Sequence, residues 1–265
     1  MVVAAFEGWN DAGDAASTAG RWLRDRWAPQ PLADLDPEEF YDFTSTRPTV
    51  RVDDRLGRRI EWPGNEFTWG GDGPRPLVVF VGTEPQLRWR TYCRQITDVC
   101  NAVGASMVVT LGALLAEVAH TRPVSVTGSS SDQVLAERLE LRASRYEGPT
   151  GIVGVLGDAC RQAGIPAASF WASVPAYVPG APSPKAALAL VRRAGELLDR
   201  QVDAVDLEVS SAAYERQVSE VVAGDEEMRD YVADLERRGD DEDDDTGVTS
   251  LVEEVERYLR DTRND

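Results

Sequence analysis

Apolar residues in the first two hundred positions form short continuous runs, and stretches with helical spacing follow most of these runs. The three clearest runs span residues 2–6, 77–81 and 106–111. A continuous apolar run is typical of a strand buried on both faces, as in a parallel sheet covered by helices. Helical patterns over residues 14–27 and 84–103 follow the first two runs. This alternation predicts an α/β domain with a mostly parallel sheet flanked by helices.

Residues 31–76 are rich in Pro, Gly, Trp and Arg, and they predict short antiparallel strands or edge loops. Within them, residues 49–52 and 58–62 flank a polar turn and predict a hairpin. The chain after residue 111 is predicted to add two strands and two helices, which are the strands 124–127 and 167–174 and the helices 132–146 and 152–163. A capping-box pair, Ser130 and Gln133, indicates the start of the first of these helices.

A helical extension is predicted to follow the α/β domain. Ser183 and Pro184 are typical of the cap and the first position of a long helix. Beyond it, apolar residues recur at intervals of three and four, namely Tyr214, Val218, Val221, Val222, Met228, Tyr231, Val232 and Leu235. One stripe of the extension is therefore expected to be buried. We divide the chain into an α/β domain, residues 1–200, and an acidic helical extension, residues 201–265.

The extension contains an acidic run near its end. Residues 239–249 are predicted to form a disordered linker, because six consecutive acidic side chains within this segment repel one another. Ser250 and Glu253 form a second capping box, which predicts a last amphipathic helix.

The formal net charge of −18 is concentrated in the extension. Residues 196–265 hold 24 acidic and 8 basic side chains, a net charge of −16, which leaves −2 for residues 1–195. Neither segment has the basic surplus needed to bind nucleic acid by counterion release, so a nucleic-acid partner is excluded. Two interpretations of the acidity stay open, namely that it keeps the protein soluble or that it binds a basic protein partner.

Side chains that commonly bind metals or act as nucleophiles are scarce. The chain has one histidine, His120, one lysine, Lys185, and three cysteines, Cys93, Cys100 and Cys160, without a CxxC pair. Zinc-ligand spacings and the GxxxxGK[ST] phosphate loop are missing from the sequence, so we expect neither a metal nor a cofactor. The odd cysteine count fits a reducing compartment. No apolar run is long enough to span a membrane and the N-terminus lacks a basic flank, so we expect a cytoplasmic protein without membrane contact.

Candidate chemistry lies in the loops after the three clearest strands, because parallel strands end at one edge of a sheet and ligands bind at that edge. The first loop holds Glu7, Gly8, Trp9 and Asp11. Asp11 or the following Asp14 is expected to cap the first helix. Glu7 is then the carboxylate that local structure explains least.

The second loop holds Gly82 and Glu84, with Trp89 one turn further along. Thr83 and Gln86 are spaced as a cap and its partner, and Glu84 lies near the positive end of the predicted helix dipole. Capping therefore accounts for most of this loop. Trp89 belongs either to the core or to a platform for a ligand ring.

The third region holds Gly112, His120 and Arg122. His120 is either a hydrogen-bonded structural residue or a general base, and Arg122 is suited to clamp a carboxylate or phosphate. A GxxGxxG segment at 151–157 is better explained by close packing than by cofactor binding, and no GxSxG nucleophile motif occurs. The candidate pocket, without an assigned catalytic residue, consists of Glu7, Gly8, Trp9, Asp11, Gly82, Glu84, Trp89, Gly112, His120 and Arg122.

Five segments taken together resemble the proteasome assembly chaperone 2 family, in its actinobacterial branch: FEGWNDAGDAAS, VGTEPQLRW, LGALLAEVAHTRPVSVTG, GIVGVLGDACRQAGIP and SFWASVPAYVPGAPSPKAAL. The resemblance spans roughly residues 3–200. It implies an α/β fold similar to purine nucleoside phosphorylases, a helical C-terminal region and a homo-oligomer, with a trimer as the expected state. The family takes its name from eukaryotic relatives that help to assemble proteasome α-rings. A protein partner, whether proteasome-related or not, is therefore implied.

Two positions depart from the family pattern. Ala176 stands between Pro175 and Tyr177 where the family's VPHY pattern has histidine, which leaves His120 as the lone histidine and weakens a hypothesis of acid/base chemistry. Some relatives dock onto the proteasome through a terminal hydrophobic-Tyr-any tripeptide, whereas this sequence ends in RND.

Two functions stay open at this point. The first is a non-catalytic binding or assembly factor that holds a protein partner with its oligomeric body and acidic extension. The second is an enzyme or sensor that binds a nucleoside-like or anionic ligand at the C-terminal ends of the strands. In that case Glu7 or Glu84 would hold ligand hydroxyls, Arg122 an anionic group, and Trp9 or Trp89 a flat ring.

Overall fold

The computed structural model describes residues 1–53, 57–72, 75–130, 132–141 and 146–244, with the side chains of residues 53 and 239–244 left aside. The described strands are β1 (Val2–Glu7), β2 (Gln30–Asp34), β3 (Thr49–Asp53), β4 (Gly57–Glu61), β5 (Asn65–Gly70), β6 (Leu77–Thr83), β7 (Val108–Ala116), β8 (Val126–Ser130) and β9 (Ala167–Pro175). The described α-helices are α1 (Ala15–Trp27), α2 (Trp89–Ala102), α3 (Gln133–Arg138), α4 (Ile152–Gln162), α5 (Pro184–Leu198), α6 (Val205–Ala223) and α7 (Glu226–Asp244).

Seven of these strands form one sheet in the order β2-β5-β6-β1-β7-β9-β8. The four central strands, β6, β1, β7 and β9, are parallel, whereas β2, β5 and β8 pair antiparallel at the two edges. The predicted α/β fold with a mostly parallel sheet is therefore confirmed. The similarity to purine nucleoside phosphorylases stays a prediction.

Helices cover both faces of the sheet, and the side-chain alternation of β1 shows why its whole sequence is apolar. Val3 and Ala5 point into a core layer shared with α1 and α5. Val2, Ala4 and Phe6 point to the opposite face, into a second layer shared with α2 and α4. A strand with an apolar layer on each face has no position for a polar side chain.

Two helix starts differ from the sequence prediction. The chain after β6 does not enter a helix at once, because the backbone N–H groups of Gln86 and Leu87 both donate to the carbonyl of Phe40. Thr83 is therefore the last residue of β6, and α2 begins only at Trp89.

The start of α3 is capped by a residue other than the predicted one. The Asp132 carboxylate accepts a hydrogen bond from the Leu135 N–H. Ser130 is instead held by the sheet, since its hydroxyl donates to the carbonyl of Ala167 at 2.7 Å. The helix is also shorter than predicted, because it ends at Arg138 and Glu140 has a left-handed φ of 55°. Residues 142–145 of the predicted helix lie outside the described part of the chain.

The predicted hairpin is confirmed and forms a sheet of its own. β3 and β4 pair antiparallel, with Val50 opposite Ile60. The centre of the predicted turn, residues 54–56, lies outside the described residues. Further antiparallel strands in the 31–76 region, β2 and β5, extend the main sheet past β6.

The helical extension packs against the α/β body. Ser183 caps α5 by accepting from the Ala186 N–H, as predicted, and Pro184 follows at the first helical position. The buried apolar side chains of α6 and α7 pack on segments after β7 and β9, and the third core cluster contains Ala119, Tyr214, Val218, Val222, Val232 and Leu235. The buried stripe of the extension is therefore found against the C-terminal ends of two central strands, but Val221, which the prediction included, is 58% exposed.

The segment predicted as a disordered linker differs in part. The backbone of α7 continues to Asp244, so residues 239–244 are helical. Each residue added to an existing helix gains one hydrogen bond, which offsets some of the repulsion between the carboxylates. The rest of the predicted linker and the predicted last amphipathic helix lie outside the described residues. Among the helices that are described, none is long and apolar enough to cross a membrane.

Candidate functional site

The ten predicted pocket residues fall into two separate groups along the C-terminal edge of the parallel strands. The first group surrounds the loop between β1 and α1, and we call residues 7–14 together with Glu84 and Ile152 the loop junction. The second group follows β7, and we call His120, Tyr177, Lys185, Glu215 and Ser219 the histidine junction.

Glu84 is the centre of the loop junction. Its carboxylate accepts hydrogen bonds from two backbone N–H groups, that of Trp9 at 3.1 Å and that of Ile152 at 2.9 Å. Ile152 is the first residue of α4, so the negative charge of Glu84 lies at the positive end of the α4 dipole. The sequence had predicted the dipole of α2 instead. Glu84 therefore holds a loop and a helix together through both of its carboxylate oxygens.

Two glycines allow Glu84 to approach so closely. Gly8 has a φ of 130°, and a Cβ there would lie 2.8 Å from the Cβ of Glu84. A Cβ on Gly151 would lie 2.1 Å from Oδ1 of Asn10 and 2.9 Å from Oε1 of Glu84. All three distances are below ordinary contact. A side chain at Gly8 would also have to adopt a φ that favours glycine, and one at Gly151 would force the Asn10 or Glu84 side chain to move.

Asp11 has a structural role in the same junction. Its Oδ1 accepts from the N–H of Ala16 at 2.7 Å and from that of Ser17 at 3.1 Å, which caps α1 as predicted. Asp14 makes no side-chain capping bond. Burial raises the pKa of Asp11, while its hydrogen bonds with Ser17 and Ala16 lower it. The buried carboxyl is therefore used by the helix terminus.

Glu7 and Trp9 are the exposed members of this group. The Glu7 carboxylate pairs with Nη2 of Arg21 at 3.0 Å and accepts a long hydrogen bond, 3.5 Å, from the Thr83 hydroxyl. The Trp9 residue is 54% exposed and contributes its backbone N–H to Glu84. Glu7 is thus a member of the loop junction, but its carboxylate does not share a hydrogen-bond partner with the carboxylate of Glu84.

The remaining members of the first group are packing residues. Trp89 packs partly buried against the core layer of α2 and α4. A Cβ on Gly112 would lie 2.6 Å from the ring of Trp171, and one on Gly82 would lie 2.7 Å from the hydroxyl of Tyr92. These glycines make room for large rings on neighbouring elements.

His120 is buried, with 3% of its surface exposed, and both ring nitrogens are engaged. Nδ1 lies 2.7 Å from the Tyr177 hydroxyl, which also accepts from the His120 backbone N–H at 2.7 Å. Nε2 lies 2.9 Å from Oγ of Ser219 on α6. The Ser219 hydroxyl in turn donates to the carbonyl of Glu215 at 2.8 Å.

This order of donors assigns the state of the imidazole. Because the Ser219 hydroxyl donates to Glu215, it accepts from Nε2, which must carry the proton. Tyr177 accepts from a backbone N–H and therefore donates to an unprotonated Nδ1. Burial lowers the pKa of His120, which favours this neutral form, although nearby Glu215 acts in the opposite direction. A neutral imidazole with both nitrogens occupied holds α6 to the segment after β9.

Cationic side chains beside His120 are also engaged. Nζ of Lys185 donates to the carbonyl of His120 and to Oε2 of Glu215, both at 2.6 Å. Nη1 of Arg122 donates to the backbone carbonyl of Glu236 on α7 at 3.3 Å. The predicted anion clamp is therefore directed at a helix of the same chain.

Sequence reasoning missed Tyr177 and Ser219 as members of this junction. Tyr177 adjoins Ala176, the position that departs from the family pattern, and that adjacency was an available signal. Ser219 was hidden beside Val218 within an amphipathic stripe. Its partner lies 99 positions earlier in the chain, so no local pattern joins them.

A cavity of about 880 Å³ lies away from all ten predicted residues. It opens between α4 and the β7-β9-β8 side of the sheet. Its floor includes a cross-strand row of hydroxyls, because Thr110 pairs with Ser169 and Ser169 with Ser129 in the strand register. The Thr110 hydroxyl donates to Oγ of Ser169 at 2.8 Å, and Trp171 also lines the cavity.

Thiol and metal chemistry find little support among the described residues. Cys93, Cys100 and Cys160 are buried free thiols, and burial raises their pKa values to about 12, 11 and 12. Within residues 1–244, apart from the gaps given above, no group of three His, Cys, Asp or Glu side chains is arranged to hold a metal ion.

Residues 5–222 match the model of the PAC2 family, which covers most of the body and α6. The chain belongs to the PAC2 family. A PAC2-family protein from Streptomyces avermitilis is 46% identical, with 87% of this chain and 98% of that chain covered and a TM-score of 0.80. No curated protein matches the chain.

Two further solved structures are similar to this PAC2-family protein. A proteasome-assembly chaperone homologue from Mycobacterium tuberculosis is 45% identical, with 87% of this chain and 99% of that chain covered and a TM-score of 0.77. An archaeal proteasome activator from Pyrococcus furiosus is 16% identical, with coverage of 83% and 92% and a TM-score of 0.66, and it shares the fold.

Proposed function

We propose that this PAC2-family protein is a non-catalytic assembly factor that binds a basic protein surface, on a proteasome subunit, through α6 and α7. The observation that carries the proposal is the histidine junction, because it holds the acidic helices over the C-terminal ends of β7 and β9. That edge is where an open α/β sheet would otherwise bind a small ligand. Here it presents a helical surface to a partner.

The state of the candidate acid and base groups supports a non-catalytic role. Glu84 accepts from two backbone N–H groups, Asp11 caps α1, and both nitrogens of His120 are engaged. A general base needs a free acceptor within reach of a substrate proton. Glu84 and His120 instead use both of their acceptor or donor atoms within the fold. Asp11 holds the start of α1 through Oδ1, and its Oδ2 is buried without a hydrogen-bond partner.

The charge of α6 and α7 supports a basic partner. Residues 205–244 contain 15 acidic and 4 basic side chains, a net charge of −11. Glu220, Glu226, Glu227 and Asp230 are all exposed. A surface of one sign accelerates association with a surface of the opposite sign and selects against partners of like charge. The proposal includes a homo-oligomeric body, with a trimer as the expected state.

Binding to purified proteasome subunits of Mycobacterium tuberculosis tests the proposal. The probe variant combines Glu220→Gln, Glu226→Gln, Glu227→Gln and Asp230→Asn. We expect it to bind at least tenfold more weakly than the wild type in biolayer interferometry. The remaining binding should also depend less on salt, since fewer charges are screened.

A matched control removes four exposed carboxylates from the α/β body, through Asp34→Asn, Glu38→Gln, Asp72→Asn and Asp98→Asn. This control loses the same net charge and is expected to bind like the wild type. Circular dichroism checks that both variants keep their helices. Absence of wild-type binding, or equal loss in the two variants, would contradict the proposal.

A nucleoside-binding function is the second candidate, and the cavity beside α4 favours it. The hydroxyl row can hydrogen-bond a sugar, and Trp171 and Tyr146 offer aromatic rings. Charged side chains in the lining include Glu137, Asp158 and Arg161, and Arg161 is paired with Asp158. This lining favours a neutral nucleoside over the anionic ligand that the sequence left open.

A thermal-shift panel of the four common ribonucleosides tests this candidate. A ligand at a hundred times its dissociation constant stabilises the folded state by about 2.7 kcal/mol, or roughly 5–10 °C for a chain of this size. Ser169→Val removes the central hydroxyl and should abolish the shift, whereas the exposed control Ser210→Ala should keep it. Four nucleosides without a shift would exclude the candidate.

A further inference from the structure

The β3–β4 hairpin has one apolar face that lies outside both core layers. Side chains two positions apart share a face of a strand, and Val50 is paired with Ile60. Val50, Val52 and Ile60 therefore lie on one face, and Trp62 follows directly after β4. The four side chains are 44%, 77%, 52% and 53% exposed. Four large exposed apolar side chains on one small element indicate a contact surface.

The opposite face of the hairpin is polar and internally paired. Arg51 donates to Glu61 at 3.0 Å, and Arg59 also pairs with Glu61. Thr49 shares this polar face. The hairpin is amphipathic, and an isolated two-stranded hairpin is marginally stable in water, so its apolar face needs a cover.

The charge of the hairpin indicates what kind of surface covers it. Residues 47–62 contain five arginines and three acidic residues, a net charge of +2 in a chain whose net charge is −18. Arg58 shares the apolar face, since it is paired with Val52. The complementary surface is therefore apolar and acidic.

The start of α6 has this complementary character. Val205 and Val209 lie one helical turn apart and are 61% and 66% exposed. Residues 199–210 contain four acidic residues and one arginine, a net charge of −3 that falls to −1 once the ion pairs of Asp206 with Arg26 and of Glu208 with Arg192 are included. Asp203 is exposed beside the valines. The start of α6 is therefore apolar and acidic, whereas the hairpin is apolar and basic.

The hairpin and the start of α6 belong to opposite faces of the main sheet. Trp62 packs on Phe43 at 4.8 Å, and Phe43 packs against the core layer of α2 and α4. Leu207 of α6 instead belongs to the layer of α1 and α5. Surfaces on opposite faces of one chain can meet head to tail between copies, and such contacts close into a ring when the rotation allows it.

We propose that the apolar face of the β3–β4 hairpin of one copy packs on Val205 and Val209 of α6 in a second copy. This contact deepens the homo-oligomeric body included in the proposed function, because it names the two surfaces that join the copies. It leaves the exposed carboxylates between Glu220 and Asp230 available for a partner protein. In a closed ring of three copies, α6 of a neighbouring copy covers the apolar face of every hairpin.

Cross-linking of the full-length chain tests the pairing directly. A Val52→Cys, Val209→Cys double variant is treated with a bis-maleimide and run on a denaturing gel. We expect covalent species at multiples of the chain mass, because each link joins two copies, whereas a link within one chain leaves the mass unchanged. The native cysteines are buried, so they contribute little background.

The matched control is Thr49→Cys with Val209→Cys, which moves the thiol to the polar face of the same strand. It should give at least tenfold less cross-linked product. The proposal would be overturned if the Val52→Cys, Val209→Cys variant gave no cross-linked species, or if the two double variants gave equal yields of cross-linked product.

A second measurement uses light scattering after size-exclusion chromatography. Val52→Asp places a carboxylate on the apolar face at an exposed position, so the chain should still fold but associate at least tenfold more weakly. Thr49→Asp, on the polar face, should keep the wild-type mass. A monomeric wild type, or a Val52→Asp variant with the wild-type mass, would overturn the contact. Binding to proteasome subunits is measured separately, so an oligomer that fails to bind them would refute the proposed function alone.

Discussion

The loop junction and the histidine junction lie at the same edge of the sheet, yet they hold different parts of the molecule together. At the loop junction, the Glu84 carboxylate accepts from the backbone N–H groups of Trp9 and Ile152, so it joins a loop to α4 within the body. At the histidine junction, His120 contacts the side chains of Tyr177 and Ser219, so it joins the body to the acidic extension.

The difference shows that a carboxylate or a histidine at a strand end is not sufficient to indicate catalysis. A carboxylate that accepts from backbone donors holds part of the fold, because protonating it would weaken those charge-assisted hydrogen bonds. A buried imidazole held as one neutral tautomer is committed in the same way. The identity of the partner atoms, more than the residue type, distinguishes a structural group from a chemical one.

Glu84→Ala should have the largest effect on stability. The substitution leaves two backbone N–H groups without their charged acceptor, and we expect a loss of about 3 kcal/mol in the free energy of unfolding. Urea denaturation followed by circular dichroism measures it. The control Glu39→Ala breaks the exposed pair with Arg88 and should cost no more than about 0.5 kcal/mol. Equal losses would mean that the loop junction does not hold α4.

His120→Ala should lower the free energy of unfolding by about 2 kcal/mol, because it removes a buried ring and its hydrogen bonds to Tyr177 and Ser219. The effect should be local. Hydrogen exchange of α6 amides should accelerate, while protection of β1 should be retained. Ser210→Ala, at an exposed site of α6, should leave the exchange of α6 unchanged. Uniform acceleration across β1 and α6 would contradict separate roles for the two junctions.

The pH dependence of stability should have opposite signs at the two junctions. Burial lowers the pKa of His120 below 6.5, so the unfolded state takes up the proton more readily and stability is lost as the pH falls below about 6.5. Burial raises the pKa of Asp11 above 3.8, so the folded state takes up the proton more readily and stability is gained as the pH falls through that raised pKa.

Unfolding free energies measured between about pH 7.5 and pH 5 separate the two contributions. Subtracting the His120→Gln curve from the wild-type curve should give a difference that decreases as the pH falls. The corresponding difference for Asp11→Asn should not decrease as the pH falls. A flat His120→Gln difference would contradict the neutral tautomer.

Trp9→Ala should have the smallest effect. The ring is exposed and the substitution keeps the backbone N–H that donates to Glu84, so the change should stay within about 0.5 kcal/mol. Thermal unfolding measures it against the wild type. A loss near that of Glu84→Ala would show that the ring, and not the amide, stabilises the loop junction.

The elements with continuous patterns were predictable and the site contacts were not. β1, β6 and α5 carry local signals, namely unbroken apolar runs and a Ser-Pro start, and each was found where expected. The start of α2 was misplaced, because the backbone of Gln86 bonds to Phe40, more than forty positions earlier. Ser130 was misassigned for the same reason, since the partner of its hydroxyl is Ala167.

The sequence by itself determined the α/β class, the family, the concentration of negative charge in the extension and the presence of a buried stripe on it. The class, the charge and the stripe are properties of composition and of periodicity, and the family is a resemblance carried by five segments, so none of them needs knowledge of distant contacts. Only the tertiary structure decided that the Glu84 carboxylate binds the start of α4, that Arg122 faces α7 and that the stripe lies on the ends of β7 and β9. Hydrogen bonds and packing act between atoms close in space, and their partners here are separated by 68 to 114 positions along the chain.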